Sequence, residues 1–305
     1  MSIGYVTFSG GTVVEYDDFN TAIAAALTDP EAVFTVTATL DAIAECQGIR
    51  TIFEAGSTAA VYGGKMGVVV PSVTLELTGG AFLANVCGGD DRWGNITGDV
   101  SIAIGAGAVI GASNVLCIVE GVGGRTAGAV DVTVSFGGTL FGSLYGVQKL
   151  SYGCTAHSVS LSVTGGTIAN DLYGSGAGNV SDAVAITVTD GAAVGGSVYG
   201  VGSGTASGAA NITVTHEASV GGSVYGVGTG IATGAAEITL SDVSIEGEVC
   251  GVGSGTAGND VTVSISGTEI DTVTASPVVP LPTPQTSCPM AASEIATAAA
   301  PAAVP

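Results

Sequence analysis

The sequence predicts an all-β fold: a right-handed parallel β-helix of about eight rungs, with a small helix-containing cap before it and a disordered Pro/Ala-rich tail after it. Three observations predict it. A phrase returns at nearly fixed spacing: S-V-Y-G-V-G-S-G at 197–204, S-V-Y-G-V-G-T-G at 223–230 and E-V-C-G-V-G-S-G at 248–255. Each phrase is followed by an alternation: N-I-T-V-T from Asn211, E-I-T-L-S from Glu237, D-V-T-V-S from Asp260. And 50 of the 305 residues are glycine without a strict triplet period, which excludes collagen. Self-similarity at about 26 residues means stacked units rather than a globule. The alternation sends Ile212 and Val214 inward and Thr213 and Thr215 outward. Glycine suits the corners, where the chain turns sharply or meets another backbone closely.

Residues 1–58 read as the cap. Tyr5–Phe8 and Thr12–Tyr16 read as short strands. Asp18 can cap a helix whose apolar face is Phe19, Ile23 and Leu27, at helical spacing, and Asp29-Pro30 ends it. Val33–Leu40 alternates as a strand. Such a cap has a physical task, since the open end of a solenoid exposes apolar core and unpaired strand edges.

Residues 59–271 read as the solenoid, aligned on one slot: Tyr62, Cys87, Glu120, Tyr145, Tyr173, Tyr199, Tyr225 and Cys250, at intervals of 25, 33, 25, 28, 26, 26 and 25. Between slots lie alternating strands: Val73–Thr78, Val100–Ile104, Val130–Phe136, Val159–Thr164, Val184–Thr189, Ile212–Thr215, Ile238–Ser241 and Val261–Ile265. Residues 272–305, with P-V-V-P-L-P-T-P and a closing Ala/Pro run, read as a tail or linker.

Charge excludes some partners. Five Lys+Arg against 26 Asp+Glu give −21, which argues against nucleic acid and against anionic lipid surfaces. No run of 18 apolar residues suggests a membrane span. The start M-S-I-G-Y-V-T-F-S-G lacks the basic head and apolar core of a secretory signal, so export uses another route or the true start lies upstream. Of six cysteines, only Cys87 and Cys117 lie on rungs near enough to pair, and no C-x-x-C or Cys/His cluster suggests zinc.

Four features carry candidate chemistry. Tyr145, Tyr173, Tyr199 and Tyr225 fill consecutive slots. Glu120 in the same file suggests that the slot faces outward, because burying a carboxylate is costly. Stacked rings there are either a platform for a sugar or protein partner or a ladder that holds the coils together. The pairs Thr133/Ser135, Ser162/Thr164, Thr187/Thr189, Thr213/Thr215, Thr239/Ser241 and Thr262/Ser264 form a hydroxyl face like that of ice-binding solenoids, or ordinary exposed strand. G-T-A-G-N-D at 255–260 resembles half of a calcium-binding repeat; it occurs once, so the expectation is no cofactor, with Ca²⁺ the weak exception.

The fourth is G-G-D-D-R-W-G at 88–94. Asp90 and Asp91 could act as acid and base, Arg92 could neutralise a uronate, and Trp93 could stack on sugar; otherwise this is a Gly/Asp-rich turn. His157 and His216 sit on different rungs with no sequence neighbour of catalytic type.

The N-terminal Y-x-x-F-x-x-A-I-A-A-A segment, followed by rungs of G-x-V-Y-G-x-G and V-T-V-S, resembles adhesin-type right-handed parallel β-helix proteins of bacterial surfaces. It is also similar to autotransporter passengers and pectin-lyase-like folds. The resemblance covers residues 1–271 and implies a secreted or wall-attached protein. The expected function is a non-catalytic, extracellular or cell-surface adhesin-like rod. Its expected partner is a glycan or a host or cell-surface protein, with Trp93 and the tyrosines as binding residues. The alternatives are a polysaccharide-processing enzyme at Asp90, Asp91 and Arg92, and an ice-binding solenoid.

Overall fold

The computed structural model describes residues 2–89, 95–123, 125–126, 130–148, 154–267 and 269–274. It is a parallel β-solenoid of about eight turns, 3% helical, with a single helix among the described residues. The Pro/Ala-rich segment from Ala275 lies outside the described residues.

The chain opens with β1 (Gly4–Thr7), which pairs antiparallel with β2 (Val13–Tyr16) on one side and with β3 (Val33–Val36) on the other. Between β2 and β3 runs α1 (Phe19–Ala26). Asp18 caps it, accepting hydrogen bonds from the Thr21 N–H (2.8 Å) and the Thr21 hydroxyl (2.7 Å). The buried face of α1 is Ala22, Ile23 and Ala26, with the Phe19 ring 5.3 Å from Phe34. Leu27 does not join that face. It is the C-cap and 51% exposed. β3 then pairs in parallel with Arg50–Phe53, so the stacked coils reach back to Val33, inside the segment read as the cap.

In the middle coils each turn carries four straight segments, whereas Val73–Phe82, Val100–Ile110 and Ser244–Val252 run two of them together. One coil runs Leu172–Ser175, Asn179–Val180, Val184–Thr189, Ala193–Val194. The two longer segments build a tyrosine sheet and a threonine sheet, and the two-residue segments form narrow corner ladders. In the threonine sheet, residues alternate strictly between core and surface: Val132, Val134 and Phe136 are buried while Asp131, Thr133 and Ser135 are exposed. That alternation matches the side-chain period of an extended strand. The interior is one column of Val, Ile, Leu and Ala, thickened by Phe34, Phe53, Phe82 and Phe136. At the far end Val261, Val263 and Ile265 are only half-buried, since among the described residues that coil has core on one side only.

Candidate functional site: the tyrosine sheet and its groove

In the tyrosine sheet the slot read from the sequence is a true register. Tyr62 pairs with Cys87, Cys87 with Glu120, Glu120 with Tyr145, and Tyr145, Tyr173, Tyr199, Tyr225 and Cys250 follow in file. The four tyrosine rings are stacked, with centroids 4.8, 4.8 and 5.1 Å apart and planes within 2°, 5° and 9° of parallel. One ring per coil, at the strand spacing, leaves no gap between faces.

The glycines of the repeated phrase make room for this stack. A Cβ on Gly176 would lie 2.8 Å from the Tyr145 ring, one on Gly202 3.0 Å from Tyr173, and one on Gly228 3.0 Å from Tyr199. Each ring therefore lies flat over the glycine of the following coil, which is why Y-G-V-G recurs as a unit.

A second file, two residues before each ring, was not foreseen from the sequence. Its side-chain oxygens each accept the backbone N–H of the same position one coil later. Asn85 accepts from Ile118 (3.0 Å), Ser143 from Asp171 (3.3 Å), Asp171 from Ser197 (2.7 Å), Ser197 from Ser223 (3.0 Å), and Ser223 from Glu248 (3.0 Å). The phenols lean on the same file: Tyr173 donates to Asp171 (3.0 Å) and Tyr225 to Glu248. The residue types differ, so no motif marks the file. The usable signal is a constant offset from the slot at which nearly every residue carries an acceptor oxygen.

Partial burial, then the adjacent Asp171 charge and the hydrogen bond to it, push the Tyr173 phenol well above its usual range. Burial and the bond to Glu248 raise Tyr225 to about 12, and burial raises Tyr145. A phenol raised on folding adds stability that is complete below its ordinary pKa of about 10 and is lost as pH climbs through the folded value. The stack is expected to hold at neutral pH and loosen in strong alkali. A spectrophotometric phenolate titration checks this: Tyr173 and Tyr225 should ionise late. Ionisation of every tyrosine together near the ordinary value would contradict the ladder.

Glu120 corrects one expectation. It is 4% exposed, with its carboxylate under Gly123, so it does not show that the slot faces outward. All four residues of Val119–Val122 are buried. The rings themselves are half-buried, with their faces spent on one another and only edges turned to solvent. Beside those edges runs a groove of about 370 Å³, lined by Tyr145, Tyr173, Tyr199, Gln148, Ala177, Ser203, Thr229 and the glycines Gly176 and Gly202.

The other candidates sort as follows. Asp90, Asp91, Arg92 and Trp93 lie outside the described residues. Cys46, Cys87, Cys117 and Cys154 are free, so the Cys87–Cys117 bond is not formed; burial drives the Cys46 thiol up to about 12 and Cys87 well above its usual range. Among the described residues no three His, Cys, Asp or Glu converge on a point that could hold a metal. No helix among them is long and apolar enough to cross a membrane.

The threonine pairs are in register only through the middle coils. Ser162, Thr187, Thr213 and Thr239 align, but Ser135 falls beside Ser162 and Ser264 beside Thr239. The first and last pairs are thus displaced by two residues. The second hydroxyl file is partly spent internally, since the Thr215 hydroxyl donates to that of Thr189 (3.3 Å) and His216 Nδ1 lies 3.1 Å from Thr215.

His157 has a neighbour that sequence separation hid. Its Nδ1 lies 2.9 Å from Asp131 Oδ1, which also accepts a bond from the Ser158 hydroxyl (2.6 Å). The hydrogen bond that the imidazole donates to Asp131 raises its pKa, and the bonds from Ser158 and His157 lower that of Asp131. Ser158 bonds the carboxylate rather than the imidazole, so the His157 ring is not placed to take the proton of the Ser158 hydroxyl. The rung offset, one coil from Asp131 to Ser158, was the available signal.

Fold and ladders together define a parallel β-solenoid repeat protein. No family model matches the chain, nor does any curated protein or solved structure.

Proposed function

We propose that the chain is a non-catalytic, adhesin-like rod, secreted or held at a cell surface, that presents the tyrosine-sheet side to a glycan or a surface protein. One observation carries the reading. The polar and aromatic side chains of the tyrosine sheet form a coil-to-coil ladder with a shallow groove along it, so their chemistry is spent on rigidity and on one continuous face. A rod with a repeated face suits presentation at a distance from its base. The strongly acidic, lysine-poor composition suits an exposed surface that repels its own kind.

The test combines location and binding. Antibody labelling of intact source cells and of their medium should find the chain outside the membrane. The purified rod should bind glycan or protein displayed by a neighbouring cell. Confinement to the cell interior would overturn the reading. So would turnover of an acidic polysaccharide that Asp90→Asn abolishes.

A further inference from the structure

We propose that the groove beside the tyrosine stack seats an uncharged, hydroxyl-rich glycan chain laid along the rod axis, with Gln148 as its hydrogen-bonding anchor. This rests on the adhesin-like reading and adds the ligand class and its seat.

Gln148 differs from its counterparts in every later coil. The equivalent positions in later coils are Gly176, Gly202, Gly228 and Gly253, each lying next to the ring of the preceding coil. The coil before Gln148 offers Glu120 in place of a ring, and Glu120 is folded inward. A side chain therefore fits where in the later coils only glycine does, and Gln148 lines the groove beside Tyr145. Gln148 Oε1 is shielded from solvent and has no hydrogen-bond partner among the described residues. A buried amide oxygen without a donor is a cost that a ligand can remove. Turning the amide to meet a ligand hydroxyl forfeits no hydrogen bond at that oxygen and gains one.

The remaining lining selects the class. Ser203 and Thr229 supply hydroxyls, and Tyr145, Tyr173 and Tyr199 supply ring edges. Because the faces between successive rings are already paired, a ligand that must intercalate between these tyrosines has no place. Backbone groups at the groove are spent between coils, with the Ser203 N–H donating to Gly176 (2.7 Å) and the Thr229 N–H to Gly202 (2.8 Å). A peptide could not add itself there as a strand. Charge disfavours acidic sugars: among the described residues no lining residue is cationic, Asp171 stands behind the phenols, and the chain carries −21.

The test is calorimetric titration of the full chain with neutral gluco-, manno- and galacto-oligosaccharides, with polygalacturonate, and with extended peptides. Binding of at least one neutral series and none of the polyuronate is expected. Gln148→Leu should weaken that binding about 10-fold, equivalent to about 1.4 kcal/mol. Ser203→Phe, a change at an exposed position, should block the groove, and both variants should melt like the parent. Preference for the polyuronate, binding by peptides alone, or glycan binding indifferent to both variants would overturn the proposal. A chain found outside the cell that binds only protein would sink this inference and leave the adhesin-like reading intact. A chain confined to the cell interior would remove the reading itself.

Discussion

Gly204→Ala should lower the stability of the solenoid by about 3 kcal/mol, a large share of what a folded domain has to lose. A Cβ at Gly204 would sit 1.9 Å from the Gly178 carbonyl oxygen, 2.8 Å from Ser175 Oγ and 3.0 Å from the Ala177 carbonyl carbon. Two of these three atoms belong to backbone, so no rotamer change relieves the clash, and the two coils must part. Parting them stretches Thr205 N–H···O Gly178 (3.3 Å) and Gly204 N–H···O Gly176 (3.0 Å). It also disturbs the Ser175 hydroxyl, which donates to Gly178 (2.6 Å). Gly10→Ala is the control, since nothing lies within 4 Å of its would-be Cβ. Denaturant unfolding of both variants checks the claim, with equal midpoints contradicting it. Hydrogen exchange should speed first at Thr205 and Ile231, because each coil rests on its nearest neighbours.

That glycine also shows what could and could not be read from the sequence. The phrase G-V-G-S-G is visible at once, and so is the register of the slot, because in a stacked coil the repeat length sets which residues meet. Tyr173, Tyr199 and Tyr225 fall in file as their spacing requires. Register inferred from likeness of motif is less secure. V-T-V-S at 132–135 and L-S-V-T at 161–164 look alike, yet Ser135 meets Ser162 because the pairing follows the buried Val134 and Leu161. Side-chain direction is also hidden in the tyrosine sheet. The two-residue alternation that leaves Thr213 half-buried between buried Ile212 and Val214 fails at Val119–Val122, where four successive residues are buried, and Glu120 turns inward. The acceptor file of Ser143, Asp171, Ser197 and Ser223 was illegible for a different reason. Its members share an oxygen and a position but no residue type, and their partners are backbone N–H groups one coil away.

Tyr199→Ala should cost about 2–3 kcal/mol, less than a fully buried aromatic because the ring is half exposed. The ring stacks on Tyr173 at 4.8 Å and on Tyr225 at 5.1 Å, so one truncation removes two ring contacts. It also uncovers Gly228, which has no side chain with which to fill the space. Tyr199→Phe keeps both ring contacts and should stay within about 1 kcal/mol of the parent. The pair of variants separates the two roles open to the ladder. A display platform whose rings were spent on a partner would lose binding on Tyr199→Ala while melting unchanged. A ladder that holds coils together loses stability first, and loses binding only as the groove edge at Tyr199 collapses. Since the ring faces are turned to one another and not to solvent, stability is the quantity expected to move. A Tyr199→Ala rod that unfolds with the parent's midpoint would show that backbone stacking alone carries these coils.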